Sequence, residues 1–245
     1  SSLSRTTNCS APEPFAESKM SDPRPQFGTN VLERAMMRLI AATCSLSSLV
    51  AHGQVINWAA PISGNWGTEK NWSPAVVPDQ LEHDVVIGFE SAFTIQMNRV
   101  VHLGSLQLLN SAARLQIVPG RTFYLANSSV LNGRIDVHDG SSNAFGTAMF
   151  FIPQQPQAMT LGGSGVISLN SKPPPSSSLY AELGVYPGST LEIGPDITVL
   201  GNGYLHGPII LRGTIRTGSQ TGGRIFVDHG LSSPVGEGKL VTDGG

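Results

Sequence analysis

From Asp84 onward, apolar side chains alternate with polar ones in short bursts: Val85 to Ile87, Thr94 to Met97, Leu103 to Leu109, Leu115 to Ile117, Phe123 to Leu125 and Ile135 to Val137. The series resumes with Val166 to Leu169, Leu191 to Ile193, Ile197 to Leu200, Ile209 to Leu211 and Ile225 to Val227, and Lys239-Leu240-Val241-Thr242 also reads as a strand. A period of two puts every second side chain on one face, so each burst predicts a β-strand. Gly, Asn, Pro or Ser breaks nearly every gap, and no segment after Gln54 keeps a helical period for three turns. The pattern predicts an all-β body.

An internal echo narrows the architecture. Gly133-Arg134-Ile135-Asp136-Val137-His138-Asp139-Gly140 returns as Gly223-Arg224-Ile225-Phe226-Val227-Asp228-His229-Gly230, and Leu115-Gln116-Ile117-Val118-Pro119 is loosely matched by Leu191-Glu192-Ile193-Gly194-Pro195. The offsets differ and fix no repeat length, but both suit stacked coils of about 20 residues. The expected fold is a right-handed parallel β-helix with Ile135, Val137, Ile225 and Val227 inside. A β-sandwich, in which Gly-rich strands resemble one another by chance, is the alternative.

Ahead of the body, all three tryptophans gather in Trp58, Gly64-Asn65-Trp66 and Asn71-Trp72-Ser73, followed by Val77-Pro78 and Asp84-Val85-Val86-Ile87. Those motifs, in that order, and the later Leu161-Gly162-Gly163-Ser164-Gly165-Val166-Ile167 resemble the N-terminal region of large exported bacterial proteins with autotransporter-passenger-like repeats. The resemblance implies a right-handed parallel β-helix, with Trp66 and Trp72 where the solenoid begins. Residues 54–83 are therefore expected to form a Trp-rich N-terminal cap, and 84–245 the coils. The end at Gly245, with no closing element after Lys239 to Thr242, reads as the front of a longer protein.

The stretch before the tryptophans reads as a secretory signal over 36–53. Arg38 supplies positive charge close behind Arg34, Leu39 to Val50 is apolar, and Ala51-His52-Gly53 places small residues at the cleavage site. The apolar run is too short for a membrane span of about 20 residues, and Ala41-Ala42-Thr43 before Cys44 is a poor lipidation signal. Residues 1–35 read as a disordered leader or as upstream read-through, because translation would begin sensibly at Met36 or Met37. Cys9 and Cys44 both precede the cut, so the mature chain would hold no disulfide. The expected location is extracellular or at the cell surface.

Charge removes one class of partner. With 15 Lys and Arg against 17 Asp and Glu, and no basic run, nothing neutralises a phosphate backbone. Nucleic acid is not expected; extracellular polysaccharide or cell-surface components are. His83, His102, His138, His206 and His229 show no zinc spacing and read as surface or turn residues. The Gly162 and Gly201 clusters lack the Lys-Ser/Thr ending of a phosphate loop and read as turns. Neither a metal nor another cofactor is expected. No GxSxG elbow occurs, and the mature region has no Cys nucleophile.

Two sets of ligand-binding candidates remain. If Ile135 and Val137 point inward, Arg134, Asp136 and His138 share an outer face, where with Asp139 they could meet a sugar or an ion, as Arg224 and Asp228 could in the second copy. A solvated face with an Arg and an Asp close together is the plainer reading. Trp66 and Trp72 could stack on a glycan, or could cover the open end of the first coil and its unpaired strand edge. The expected function is an exported structural or adhesive surface module without catalysis in this fragment. The alternative is a carbohydrate-active enzyme or a glycan-binding module on a β-helix.

Overall fold

Every alternating segment forms all or most of a strand in the computed structural model, which describes residues 53–138, 147–171, 180–217, 224–228, 230–232 and 237–242. The leader, nearly all of the export signal, Asp139 and His229 lie outside the described residues. The strands pair in parallel, coil upon coil, except that Trp72–Ser73 runs antiparallel to Asn57 and Trp58. The body is a parallel β-helix.

Register sorts the strands into three faces. The first stacks Gly64–Asn65, Phe93–Met97, Ala113–Ile117, Arg134–His138, Val166–Asn170, the first half of Thr198–His206, Thr214–Thr217 and Lys239–Thr242. The second stacks the start of Val101–Leu108 with Thr122–Leu125, Thr147–Phe151, Ala181–Val185, the second half of Thr198–His206 and Ile225–Asp228. On the third lie Gln54–Trp58, Gln80–Ile87, the end of Val101–Leu108, Ser129–Leu131, Ala158–Gly162, Thr190–Ile193, Ile209–Leu211 and Leu231–Ser232.

Alternation turns every second side chain of a strand inward, so each face contributes rows of buried residues. On the first face Ile95, Leu115, Ile135, Ile167, Val199 and Ile215 fall on successive rungs, and all are buried. Rungs repeat at about 4.8 Å, so each apolar side chain packs on its equivalents above and below and the core runs along the stack. Length between rungs is free to vary because extra residues go into the corners. Val199 and Ile215 are 16 residues apart, Ile135 and Ile167 are 32 apart, and both pairs are direct neighbours.

Two strands turn a corner without a loop, Val101–Leu108 and Thr198–His206. Strand Thr198–His206 passes from the first face to the second at Gly201, whose φ is 110° and where a Cβ would lie 2.1 Å from the Leu169 carbonyl oxygen. Only glycine fits both conditions. The adjacent Asn202 is buried and ties three coils together: its Nδ2 donates to the Ser171 carbonyl (3.0 Å) and its Oδ1 accepts from the Arg224 backbone N–H (3.1 Å). Gly162 to Gly165 likewise turn the third face into the first.

Several expectations need correction. The two echoed segments are not equivalent rungs, since Ile135 sits on the first face and Ile225 on the second, and Leu115 and Leu191 are split between the first and third. Every face asks for the same short inward alternation closed by a turn, so strands of different faces resemble one another in sequence. Ile135 and Val137 are fully buried, whereas Ile225 is only half-buried and Val227 is 43% exposed. Val227 does face inward by register, opposite Leu205, but Ile225–Asp228 is the last described rung of its face and nothing described covers its far side. Within the tryptophan segment, Gln54–Trp58 is paired with His83 to Val86 and Gly64–Asn65 with Ile95 and Gln96.

Candidate functional site

The sequence candidates are placed as follows. Trp66 is 0% and Trp72 2% exposed, so neither ring is open to a sugar from solvent, and the glycan-stacking reading of these two residues is set aside. Their rings meet edge to face at 4.6 Å, Trp72 meets Trp58 at 4.8 Å, and Trp66 reaches Phe123 of the second face at 6.0 Å. Each indole N–H is satisfied inside the cluster: Trp66 donates to the Pro78 carbonyl (2.8 Å), Trp72 to that of Trp66 (2.7 Å) and Trp58 to that of Ile62 (3.1 Å). This is packing with its polar atoms paired.

Asp136 is 0% exposed, on the outer side of the first face. Arg114 and Arg134 are register partners on adjacent rungs, which would set two like charges about 4.8 Å apart. Asp136 relieves that repulsion by accepting from Arg134 Nε at 2.8 Å and from Arg114 Nε. Burial alone would raise its carboxyl pKa, but the hydrogen bonds and charges of the two arginines outweigh it and hold the group below its ordinary value. The trio is an ion pair locked within the wall rather than an open site. His138 adds a contact to Gln116 Nε2 at 3.1 Å. Asp139 lies outside the described residues. Arg224 is exposed, and with Asp228 it stands on the second face, so the two candidate sets do not come together.

What does come together is a strip that sequence reading did not single out. On the outer side of the second face, His102, Tyr124, Phe150, Gly184, His206 and Asp228 occupy one register position on successive rungs. His102 stacks on Tyr124 at 4.7 Å with 13° between planes, and Tyr124 on Phe150 at 6.5 Å and 23°. Phe150 then reaches His206 at 6.3 Å across Gly184, where a Cβ would lie 2.6 Å from the Phe150 ring. A parallel row holds Glu182, Tyr204 and Phe226, with Tyr204 stacked on Phe226 at 4.9 Å and on His206 at 5.7 Å.

Charge enters this strip beside His206. Its Nε2 is 3.8 Å from Glu182 and its Nδ1 3.4 Å from Asp228. Burial pushes the Glu182 carboxyl above its ordinary value, against the opposing charge and hydrogen bond of His206. A cleft of about 580 Å³ opens here, lined among others by Phe150, Glu182, Tyr186, Pro187, His206 and Pro208. A second, of about 400 Å³, is lined by His102, Tyr124, Ile152, Pro153 and Tyr186. Tyr186 borders both and is 62% exposed.

Among the described residues no three His, Cys, Asp or Glu side chains gather closely enough to hold a metal ion. In the same set no helix is long and apolar enough to cross a membrane. The chain matches no protein-family model, no curated protein and no solved structure. The fold and the strip define it as a parallel β-helix with an aromatic, carboxylate-bearing outer face.

Proposed function

We propose that this chain is an exported structural or adhesive module of the bacterial cell surface, which works by presenting the outer faces of a β-helix. The observation that carries the reading is the second face. Its outward rings stand in register over successive coils, so a surface of defined spacing is held on a rigid, continuously packed support. The tryptophan cluster supports the same reading, because it puts three large aromatics into the stack itself. The apolar run Leu39 to Val50 and the Ala51-His52-Gly53 site support export. A cut before Gln54 would leave the rung Gln54–Trp58 whole.

A second reading, a carbohydrate-active enzyme, draws on one arrangement: Glu182, with its carboxyl pushed up, and Asp228 both adjoin His206 at the larger cleft. A pair of carboxyl groups at a cleft is the pattern of glycoside cleavage. Expression of the full chain in a bacterium with general secretion machinery tests the first reading. Mass spectrometry of the exported protein should give a chain beginning at Gln54. Recovery of protein only inside the cell, with Leu39 to Val50 intact, would overturn the export reading, and release of new reducing ends from a neutral polysaccharide would favour the enzyme.

A further inference from the structure

The geometry points to a binding site for an extended, uncharged polysaccharide along the second face, with Tyr186 as the exposed stacking platform and Glu182 and Asp228 as acceptors for sugar hydroxyls. The inference rests on the adhesive reading of the module and names the ligand class it would hold. A pyranose ring has an apolar C–H face and a rim of hydroxyls, so its receptor needs a flat apolar surface edged by acceptors. The strip has both. The phenol of Tyr186 is mostly open to solvent between the two clefts, and stacked rings run beside it from His102 to Phe150. The carboxylates of Glu182 and Asp228 flank His206 at its other end.

Spacing and shape favour a chain of sugars over a single one. Outward residues repeat once per rung, about 4.8 Å, comparable with one pyranose unit of an extended glycan. Gly184 lets the Phe150 ring lie over the strand that borders the larger cleft, which extends the apolar surface toward His206. Three prolines, Pro153, Pro187 and Pro208, stand among the cleft walls, which restricts their backbone and lowers the ordering cost of binding. Charge selects the polymer. Among the described residues neither cleft has a Lys or Arg in its lining, and Glu182 in the larger one, with Asp228 beside His206, would repel a uronate or a sulfated chain. Uncharged hydroxyls can donate to the same carboxylates.

The purified full chain, run in native gels containing hydroxyethylcellulose, laminarin, galactomannan or polygalacturonate, tests the proposal without reference to export. At least one of the three neutral polymers should retard the protein, and polygalacturonate should not. Tyr186→Ala should weaken retardation about tenfold, the loss expected for one stacked ring, with an unchanged melting temperature because the side chain is exposed. Glu182→Gln should weaken it by a smaller factor, since an amide still accepts one hydrogen bond. Gln96→Ala, at an exposed position of the first face, should bind like the parent. No retardation by any neutral polymer, retardation by polygalacturonate alone, or retardation undiminished in both Tyr186→Ala and Glu182→Gln would overturn the proposal. A chain that is exported yet fails these gels would lose the ligand and keep the surface-module reading; one that binds yet stays in the cell would do the reverse.

Discussion

Replacing Trp66 by alanine should unfasten the first coils before the rest of the stack. The ring is fully buried against Trp72 at 4.6 Å and Phe123 at 6.0 Å, so its removal leaves a hole between the third of the tryptophans and the second face. Truncating a buried aromatic of this size costs about 3 to 5 kcal/mol. The substitution also strips the Pro78 carbonyl of its 2.8 Å donor, an unmet polar group worth about 1 kcal/mol or more. Trp66→Phe keeps an aromatic ring in the cluster but loses the indole N–H and the rest of the five-membered ring; it should cost less than alanine, about 1 to 3 kcal/mol. The chain supplies its own local probe. All its tryptophans lie between 58 and 72, so intrinsic fluorescence reports on this cluster while far-UV circular dichroism reports on the whole body. At about 2 to 4 °C per kcal/mol for a domain of this size, the fluorescence midpoint of Trp66→Ala should fall by about 10 °C. The dichroism transition should broaden, because coils couple mainly to their neighbours. A fluorescence midpoint within about 2 °C of the parent would refute the assignment of Trp66 to the core.

Two further substitutions test the wall of the helix. Asp136→Asn should cost about 2 kcal/mol at pH 7, less than the 3 to 5 typical of a broken buried ion pair, because Arg114 and Arg134 are 44% and 42% exposed and water screens the charges left behind. Its pH dependence has a definite sign. The folded pKa of Asp136 lies below the ordinary 3.8, so its contribution is complete above 3.8 and is lost as pH falls through the folded value; the gap in melting temperature between parent and Asp136→Asn should close only in that acid range, and a gap that is the same at pH 7 and pH 2 would count against the ion pair. Gly201→Ala should cost more than about 4 kcal/mol, as expected where a positive φ and a 2.1 Å backbone clash coincide, and thermal melts showing less than about 1 kcal/mol of change would show that the corner relaxes easily.

Much of the fold could be read along the chain because a β-helix is a local problem repeated. Each strand needs only one or two inward apolar side chains at period two, and Leu115-Gln116-Ile117 or Phe123-Tyr124-Leu125 announces that directly. Three of the strands that were not anticipated lack the alternation for identifiable reasons, although Ala158–Gly162 keeps it. Thr147–Phe151 is buried at nearly every position, Ala181–Val185 spends one outward position on Gly184, and Thr214–Thr217 has a single aliphatic residue, Ile215, to turn inward. Asp136 misleads in the opposite way. Alternation assigns it correctly to the outer side, but only the register, which brings Arg114 beside Arg134, explains why an outward carboxylate is fully buried.

The aromatic strip was hidden for a different physical reason. Its members are one residue per coil, and the coils differ in length: from His102 the successive rungs lie 22, 26, 34, 22 and 22 residues apart, through Tyr124, Phe150, Gly184 and His206 to Asp228. No fixed period can recover that row. A weaker signal was present, since Tyr124 stands between Phe123 and Leu125, Tyr204 precedes Leu205, and Phe226 lies between Ile225 and Val227, so each ring falls at an outward position of a strand that already has its core residues. Large aromatics are costly to leave facing water when a Thr or Ser would serve the strand as well. Stacking recovers part of that cost here, as the 4.7 and 4.9 Å ring pairs show. It recovers nothing for Tyr186, which borders both clefts without a ring partner among the stacked pairs of the face. An exposed aromatic outside the ladder is the residue that a folding argument leaves over, and for that reason Tyr186→Ala, rather than any member of the ladder, is the substitution that separates binding from architecture.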